Sequence, residues 1–380
     1  MKYTRIIQEH IEANLFKNKV IIIYGARRVG KTTLSKSILQ KHENGKYINC
    51  ELLQNKIALE TTNSEALRSF LGKDKIVVLD EAQYIKDIGL TLKIINDSFP
   101  DLQLIVTGSS SFELGNTISE PLTGRSRQYL LMPFSAEEIL QNYSSVDLNA
   151  RLGNILRFGL YPEVFDNPEE DMLEELNNIA SNYLYKDVLQ FERLKRSDLL
   201  LNLLRALAFQ VGSEVSFNEL SKTIGTSVQT VQKYIQLLEK SFVIFRLGSF
   251  SRNLRKEIAK SQKIFFYDLG IRNAIIQNFN PIDLRNDVGG LWENFCILER
   301  IKFAQYHRLF SNTFFWRTYD QKEIDFIEEH SGKLHAYEFK YNPKSNVKWP
   351  KEFLETYPDS SFTVVDRENY LEKLHQNEID

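Results

Sequence analysis

The stretch Val20–Thr33, which reads VIIIYGARRVGKTT, decides the fold of this chain. It carries the pattern G-x-x-x-x-G-K-T directly after a run of β-branched apolar residues, and such a run is typical of a buried parallel strand. The residues that follow favour a helix. The glycines would therefore turn the backbone and direct its N–H groups toward phosphate oxygens at the helix N-terminus.

The side chains of this stretch complete a phosphate-binding loop, or P-loop. Lys31 would reach the β- and γ-phosphates, and the Thr32 hydroxyl would bind Mg²⁺. The alternative interpretation is a glycine turn with a chance lysine, which would not require a strand before it and a helix after it. The residues that we expect to contact the nucleotide are Gly25, Ala26, Arg27, Arg28, Val29, Gly30, Lys31, Thr32 and Thr33.

Length, composition and charge set the limits for the rest of the chain. At about 100–200 residues per domain, 380 residues allow two or three domains, and 42% apolar residues permit large buried cores. The net charge of −2 argues against a uniformly basic nucleic-acid binder but permits a local basic patch. Cys50 and Cys296 have no metal-ligand spacing and favour buried thiols in a reducing cytosol.

The N-terminus is amphipathic and contains acids, unlike a signal peptide. No apolar run approaches the roughly 20 residues of a membrane-spanning helix. We therefore expect a soluble, cytoplasmic protein without a membrane partner.

A second apolar run, Lys75–Asp80 (KIVVLD), predicts a buried strand that ends in two acids. A carboxylate at the end of a strand beside a P-loop lies where Mg²⁺ needs an acidic partner, so Asp80 is the candidate. Glu81 could then act as general base for the attacking water. Adjacent acids also occur in ordinary surface turns, and it is the P-loop upstream that favours the functional interpretation.

Two further segments could contribute to the same site. Leu102–Thr107 predicts a strand between the P-loop strand and the acidic strand, so that Thr107 and Ser109 could orient water or contact the γ-phosphate. A plain Ser/Gly turn explains them equally well. Arg125, just before an edge strand, could offset charge on the γ-phosphate of its own or a neighbouring subunit, or could be a solvated loop arginine.

The motifs GARRVGKTT, IVVLDEAQ, LIVTGSSS, LTGRS and MPFS, in this order, resemble those of the AAA-like ATPases of archaea and bacteria. These ATPases belong to the additional-strand catalytic-glutamate class, with the signal-transduction ATPases as near relatives, and the resemblance covers nearly the whole chain. It implies that Asp80 is the Walker B acid, Glu81 the catalytic glutamate and Arg125 the arginine of the G-R motif. No N-K-x-D guanine motif accompanies the P-loop, so we expect ATP with Mg²⁺.

The middle of the chain predicts helices and then a winged helix. A break at Gly159-Leu160-Tyr161-Pro162 separates two helical stretches, and in the resembling family this element belongs to a helical lid. Ser216–Ile224 and Val228–Lys240 have a helix-turn-helix layout, with a glycine turn and Ser227 as a cap. Strands at Phe242–Leu247 and Lys263–Tyr267 would form a basic wing that contacts DNA, although winged helices also mediate domain contacts. The wing's basic residues are Lys240, Arg246, Arg252, Arg255, Lys256, Lys260 and Lys263.

The C-terminal part predicts a helix that contains Glu293, followed by three strands. Glu338 and Lys340 would share one face of a strand, and Asp325 on the partner strand would meet them in an oxygen cage for Mg²⁺ or Mn²⁺. Lys340 could orient or deprotonate the attacking water. The pattern resembles the restriction-endonuclease-like fold with its D…E-x-K signature, in which Glu293 matches an acid of the first helix. Many domains of this kind bind DNA or partners without cutting, and E-x-K is frequent by chance.

The predicted fold class is α/β: a P-loop NTPase parallel sheet with a helical lid, a winged helix and a C-terminal α/β restriction-endonuclease-like domain. Three functions remain open: an ATPase linked to nucleic acid, an ATP-gated deoxyribonuclease, and a non-cutting switch that binds DNA or a protein. A homo-oligomer is required only if Arg125 acts on a neighbouring subunit. The expected domains are residues 1–145 (ATPase), 146–197 (lid), 198–282 (winged helix) and 283–380 (nuclease-like).

Overall fold

The computed structural model describes residues 3–109, 121–183, 197–251, 261–318, 322–345, 347, 349 and 351–376. The chain divides into two compact units. Unit 1 comprises Met1–Pro133 with Lys240–Phe242, and unit 2 comprises Phe134–Glu239 with Val243–Asp380. Within the described residues, no helix combines the length and the apolar character needed to cross a membrane.

Unit 1 is built on a five-stranded sheet whose strand order is β2-β3-β4-β1-β5. All neighbouring strands in it are parallel. The strands are β1 (Val20–Tyr24), β2 (Gly45–Asn49), β3 (Ile76–Asp80), β4 (Gln103–Gly108) and β5 (Ser126–Leu130). The helices are α1 (Ile7–Glu12), α2 (Lys31–Leu39), α3 (Leu53–Leu59), α4 (Ser64–Leu71) and α5 (Ile88–Ser98).

The order of the strands brings the predicted motifs together at the carboxyl ends of the strands. Strand β4 lies between β3 and β1, as the sequence predicts. The central strands β3 and β4 are buried along their whole length, because helices cover both faces of a parallel sheet. Since the strands run in the same direction, the segments that follow β1, β3 and β4 meet at their carboxyl ends.

The sequence favours a helix over Ser64–Leu71 with a serine as its N-cap, and this choice of cap is wrong. Helix α4 is capped by Asn63 and not by Ser64, since the Asn63 side chain accepts hydrogen bonds from the N–H groups of Glu65 and Ala66 at 2.9 and 3.1 Å. Asparagine and serine are similarly good caps, so the sequence alone does not separate the two positions.

Unit 2 contains helices followed by a mixed six-stranded sheet of order β11-β10-β9-β8-β6-β7. The helices are α6 (Ala136–Ile139), α7 (Ser145–Phe158), α8 (Glu169–Tyr183), α9 (Ser197–Phe209), α10 (Phe217–Ile224), α11 (Val228–Lys240), α12 (Leu269–Ile276), α13 (Val288–Tyr306), α14 (Lys351–Thr356) and α15 (Tyr370–Lys373). The strands are β6 (Ile244–Ser249), β7 (Gln262–Phe266), β8 (Asn312–Arg317), β9 (Glu323–His330), β10 (Lys333–Phe339) and β11 (Ser361–Val365).

Several predicted caps and turns of unit 2 are present. Ser135 starts α6 with a capping box to Glu138. The turn between α10 and α11 has Gly225 at φ +69°, and the Ser227 hydroxyl accepts from the N–H of Thr230 at 3.2 Å. The β9–β10 hairpin turns through Ser331 and its glycine neighbour, both with positive φ. The turn predicted at Asp320-Gln321 lies outside the described residues.

The two strands predicted as a wing do not stand apart from the C-terminal strands. β6 and β7 form an antiparallel pair, and β6 also pairs in parallel with β8 through Gly248↔Phe314 and Ser249↔Phe315. One sheet therefore runs across the boundary expected at residue 282. The sequence pattern could not show this, since strand pairing across about 65 residues leaves no local signal.

The expected boundary segment 283–290 is also tied into its surroundings. Helix α13 begins at Val288, so it includes both glycines of the predicted turn. Asp287 contacts Arg272 at 2.5 Å and Arg285 at 2.7 Å. Burial opposes the charge of Asp287, but the two arginines outweigh it and hold the pKa of Asp287 at about 2.

The break at Gly159-Leu160-Tyr161-Pro162 packs on the start of helix α12. Gly159 has φ +73°, and a Cβ there would lie 2.2 Å from Oδ1 of Asp268. The Asp268 carboxylate accepts from the N–H of Leu160 at 2.7 Å and from that of Ile271 at 3.1 Å. One buried carboxylate thus caps α12 and holds the loop.

Candidate nucleotide site and the C-terminal acidic cluster

The P-loop follows β1 and leads into α2, as the sequence predicts. Gly25 has φ +145°, and a Cβ there would lie 2.1 Å from the backbone oxygen of Leu131, so only glycine fits. Gly30 precedes α2 with φ +97°. Gly30 has no side chain to cap the helix, so the first N–H groups of α2 are available to an anion.

A buried arginine outside the motif ties the P-loop to the end of the sheet. Arg5 is 1% exposed. Its Nη1 donates to the Val29 oxygen at 2.8 Å and its Nη2 to the Met132 oxygen at 2.5 Å. Sequence reasoning missed Arg5, because a single arginine in an amphipathic N-terminal stretch carries no motif.

The side chains of the P-loop divide into two groups. Lys31 is buried, and its Nζ donates to the carbonyl oxygens of Gly25 and Ala26 at 3.0 and 2.7 Å. This places the ammonium group within the loop. Ala26 and Val29 are buried, so they can contact a nucleotide only through their backbone. Arg27 instead reaches outward and donates to the Tyr84 hydroxyl at 3.2 Å.

Asp80, at the end of β3, accepts hydrogen bonds from three hydroxyl groups. Thr32 Oγ1 lies 3.0 and 2.9 Å from its two carboxylate oxygens. The Tyr47 hydroxyl donates to Oδ2 at 2.5 Å, and Thr107 Oγ1 donates to Oδ1 at 2.5 Å. Burial, then the hydrogen bond to Asp80, raises the pKa of Tyr47, so this hydroxyl keeps its proton. No motif in the sequence points to Tyr47.

The sequence analysis named Thr107 as a candidate for contact with the γ-phosphate, and its hydrogen bonds argue against that contact. It is fully buried, and its one proton is donated to Asp80. The same oxygen accepts from the N–H of Glu81 at 3.0 Å. A hydroxyl has a single proton to donate, so Thr107 positions the two acids and does not offer a donor to phosphate.

Glu81 has an unusual backbone conformation for a residue with a side chain. Its φ is 56° and its ψ 47°, in the left-handed region that such residues seldom adopt. The Glu81 carboxylate accepts from Nε2 of Gln83 at 2.5 Å, and the same Nε2 lies 3.0 Å from Oγ of Ser109. Ser109 is therefore linked to the general-base candidate through Gln83.

The residues at this edge suit a magnesium nucleotide. A hydroxyl and a single carboxylate, here Thr32 and Asp80, are the protein groups that P-loop sites use beside phosphate oxygens and water. Glu81 follows Asp80 in the chain, and its carboxylate contacts the Gln83 amide and not Asp80. The arrangement combines a glycine loop before a helix N-terminus, a buried lysine, a hydroxyl–carboxylate pair and a second carboxylate.

Arg125 lies at the amino ends of the strands, opposite the carboxyl ends that carry the P-loop. Its backbone oxygen accepts from the N–H of Val20, at the start of β1, whereas the P-loop follows the end of that strand. Its Nε contacts Asp97 at 2.7 Å. This places Arg125 at the opposite end of β1 from the P-loop of the same chain, and its charge-offsetting role stays a prediction.

The structure brings three of the four C-terminal candidates into contact. Lys340 Nζ lies 2.5 Å from Glu338 Oε1 and 3.9 Å from Asp325 Oδ2. Asp325 also accepts from the N–H of Phe339 at 2.8 Å. Burial, then the Asp325 charge, raises the pKa of Glu338 to about 7. Burial opposes the charge of Lys340, but Asp325 and Glu338 outweigh it and raise its pKa, so Lys340 is a poor base for water.

The fourth candidate, Glu293, pairs with a lysine that the sequence had assigned to the wing. Lys263 is 1% exposed, and its Nζ lies 2.8 Å from Glu293 Oε1 and also contacts Glu323. Burial, then Asp325, raises the pKa of Glu293 to about 8. Gly212 packs against Glu293, since a Cβ there would lie 2.8 Å from Oε2.

These contacts do not fit a second divalent cation. An ammonium group already compensates Glu293 and Glu323, and in the described part of the chain no group of three or more His, Cys, Asp or Glu side chains could hold a metal ion. The expected Mg²⁺ or Mn²⁺ site at Asp325 and Glu338 is therefore not supported by this arrangement.

Part of the expected basic wing lies outside the described residues. Lys263 is buried in the acidic cluster, which it forms with Glu293 and Glu323. Arg246 pairs with Glu239 at 2.6 Å. Lys263 is therefore not placed to contact a phosphate, whereas Arg246 is exposed. Arg252, Arg255, Lys256 and Lys260 lie outside the described residues.

Both cysteines are buried free thiols, as the sequence predicts. Burial, then the charges of Asp80 and Glu81, raises the pKa of Cys50 to about 12. A thiol held in its neutral form is a poor nucleophile, so Cys50 has a packing role.

Comparison with known proteins divides the chain into three matched segments. Residues 17–140 match the family model of an AAA domain, residues 149–282 that of a domain of unknown function (DUF8612), and residues 288–379 that of another (DUF4143). The P-loop, β3 with its two acids, β4 and Arg125 all fall within the first.

Relatives extend over most of the chain. An uncharacterized protein of Methanocaldococcus jannaschii is 28% identical over 81% of this chain and 73% of its own length. Uncharacterized proteins of Mycobacterium tuberculosis and Haemophilus influenzae are 24% and 25% identical, over 86% and 82% of this chain and 71% and 80% of theirs. Among solved structures, a Walker-type ATPase of Pyrococcus abyssi is 17% identical, with a TM-score of 0.49, over 72% of this chain and 96% of that one.

Proposed function

We propose that this protein binds ATP with Mg²⁺ and hydrolyses it at the carboxyl edge of the unit 1 sheet. The observation that carries the proposal is the hydrogen-bonded chain from Thr32 through Asp80 and Thr107 to Glu81. It links the P-loop helix to the acids after β3 through atoms separated by 2.5–3.0 Å. The AAA match over residues 17–140 supports it.

Each residue has a defined task in this proposal. Lys31 and the first N–H groups of α2 bind phosphate oxygens. Thr32 and Asp80 would hold Mg²⁺, which supplies positive charge to the phosphates. Glu81 accepts a proton from the attacking water as general base.

The test is ATP turnover and nucleotide affinity of the full chain. Lys31→Ala is expected to abolish ATP binding, because the ammonium group that faces phosphate is lost. Glu81→Gln is expected to keep ATP affinity and to lower kcat by about 10²–10⁴-fold, the usual contribution of a general base. Matched controls are Lys73→Ala and Glu65→Gln, both on exposed positions of the same unit. Equal turnover in wild type and Glu81→Gln would contradict the assignment.

We propose further that unit 2 couples this ATPase to DNA without cutting it. The exposed face of α11, the second helix of the helix-turn-helix layout, consists of Gln229, Gln232, Lys233 and Gln236. Glutamine amides can pair with adenine edges, and lysine with phosphate. The Lys263–Glu293 ion pair favours this non-cutting alternative over the metal-dependent deoxyribonuclease, because it places a buried ammonium group beside the acids that a metal would need.

Binding and cleavage separate these alternatives. Duplex binding is expected to weaken steeply between 50 and 200 mM salt and to fall in Gln232→Ala and Lys233→Ala, with Gln54→Ala, exposed in unit 1, as control. No cleavage is expected of duplex, single-stranded or branched DNA with Mg²⁺ or Mn²⁺, with or without ATP. Cleavage that disappears in Lys340→Ala would establish the deoxyribonuclease instead. Salt-insensitive binding, or none, would leave unit 2 as a protein-binding module.

A further inference from the structure

Gln83 is the last residue of the IVVLDEAQ motif and follows the two acids by a short turn, and its side-chain amide contacts the Glu81 carboxylate. It lies in the 3₁₀ turn Ala82–Tyr84, and its Nε2 is 2.5 Å from Glu81 Oε2. A carboxylate accepts and cannot donate, so the amide nitrogen must face Glu81. The orientation of the amide is thus fixed by chemistry.

The same nitrogen also binds the end of β4. Nε2 lies 3.0 Å from Oγ of Ser109, which is buried. A hydroxyl that accepts one hydrogen bond keeps its own proton to donate. Gln83 therefore joins Glu81 to the end of β4, the segment at which a nucleotide's terminal phosphate would arrive under the proposed function.

The other amide atom has a property that a purely structural contact would not need. Oε1 of Gln83 is buried and has no hydrogen-bond partner among the described residues. A buried acceptor without a partner destabilises the folded state. Such atoms are rare in folded proteins and need an explanation. Here the atom belongs to the same planar group whose nitrogen contacts the general-base candidate.

The backbone conformation of Glu81 makes the hydrogen bond from Gln83 important for the orientation of the carboxylate. Its backbone is in the left-handed region, and the Glu81 N–H is held by Thr107. The side-chain contact that orients the carboxylate is the one to Gln83. Without it, the carboxylate could rotate among several orientations, and only some of them would direct a lone pair at a water molecule.

We propose that Gln83 is a positioning residue for ATP hydrolysis: Nε2 fixes the Glu81 carboxylate toward the attacking water, and this contact leaves the buried Oε1 without a partner among the described residues. Glu81 takes a proton from the water when the water oxygen attacks the γ-phosphorus and ADP leaves with the electron pair of the broken P–O bond. This inference rests on the proposed ATPase function.

The experiment measures kcat and nucleotide Kd for wild type, Gln83→Ala and Gln83→Met. Methionine keeps the length of the side chain and removes both hydrogen-bonding atoms, and thermal unfolding confirms that each variant is folded. We expect kcat to fall about tenfold or more in both variants, with ATP affinity changed less than threefold. Gln128→Ala, an exposed glutamine on β5, is the matched control and should leave both quantities unchanged.

A double-mutant cycle distinguishes positioning from a general structural effect. In the Glu81→Gln background, Gln83→Met should lower kcat no further, because the group that Gln83 orients is already gone. Independent, additive losses would overturn the proposal, and so would an unchanged or raised kcat in Gln83→Met alone. If wild type bound ATP but did not turn it over, the ATPase function itself would fail, and this inference with it.

Discussion

Thr107 shows how a single buried hydroxyl can serve two functional acids. It donates to the Asp80 carboxylate and accepts from the N–H of Glu81, and no water can replace it at a fully buried position. At the scale of the residue, the site thus depends on small hydroxyl side chains. The sequence places them at the carboxyl ends of strands but does not predict their hydrogen-bond partners.

Replacement of Thr107 by valine should therefore affect both stability and turnover. Valine has nearly the same shape but removes one of the donors to Asp80 Oδ1 and leaves the Glu81 N–H without its partner, at a cost of about 1–3 kcal/mol in the free energy of unfolding. Urea denaturation measures this cost, and an ATPase assay should show reduced kcat. Thr107→Ser keeps the hydroxyl and should retain most of the activity, and Thr62→Val, at an exposed position, is the control. Equal behaviour of the valine and serine variants would show that the hydroxyl is not what matters.

At the scale of the elements, the loop at residues 159–162 is joined to helix α12 by one carboxylate. Asp268 is fully buried, and burial raises its pKa to about 6 even though backbone N–H groups donate to it. The close approach of the Gly159 backbone makes room for this carboxylate. The element that the resemblance assigned to a lid is therefore anchored inside unit 2.

Gly159→Ala should destabilise unit 2 strongly. A Cβ at this position would lie 2.2 Å from Asp268 Oδ1, and the backbone has φ +73°, which alanine adopts only with strain. We expect a loss of about 2 kcal/mol or more in the free energy of unfolding. Gly248→Ala is the matched control, because a Cβ there has open space within 4 Å. Similar losses in both variants would contradict the argument.

At the scale of the whole molecule, the acidic cluster of unit 2 connects the stretch predicted as a wing with the stretch predicted as a nuclease. Lys263 comes from β7, Glu293 from α13 and Glu323 from β9, so a single ion-pair network spans three elements that the sequence assigned to two domains. Removal of one partner would leave buried charge uncompensated, which costs more than the ion pair contributes.

The cluster also makes the stability of the protein depend on pH. The pKa values of Glu338 and Glu293 are raised from 4.5 to about 7 and about 8, so the folded state binds more protons than the unfolded state within this window. The contribution of these groups is therefore largest below pH 4.5 and is lost as the pH rises toward 8.

Glu338→Gln should gain stability relative to wild type as the pH rises from about 5 to about 8, by about 2 kcal/mol. Denaturant unfolding at several pH values measures this difference. Glu368→Gln, at an exposed position, should keep a constant difference from wild type. A pH-independent difference for Glu338→Gln would show that its carboxyl titrates normally.

The sequence by itself determined the P-loop and the two acids that follow β3. Both follow from short local patterns, because parallel strands and glycine turns impose their chemistry within a few residues of the chain. Neighbours in sequence are neighbours in space at such turns, so these residues could be identified without knowledge of the strand order.

Only the tertiary structure decided which side chains complete each site. Arg5 and Tyr47 reach the P-loop and Asp80 from distant parts of the chain, Lys263 pairs with Glu293 instead of joining a wing, and Arg125 lies at the opposite end of β1 from the P-loop. These placements depend on which strands pair and which faces pack. Contacts between distant parts of a chain are selected by burial and charge compensation, and these leave no local pattern in the sequence.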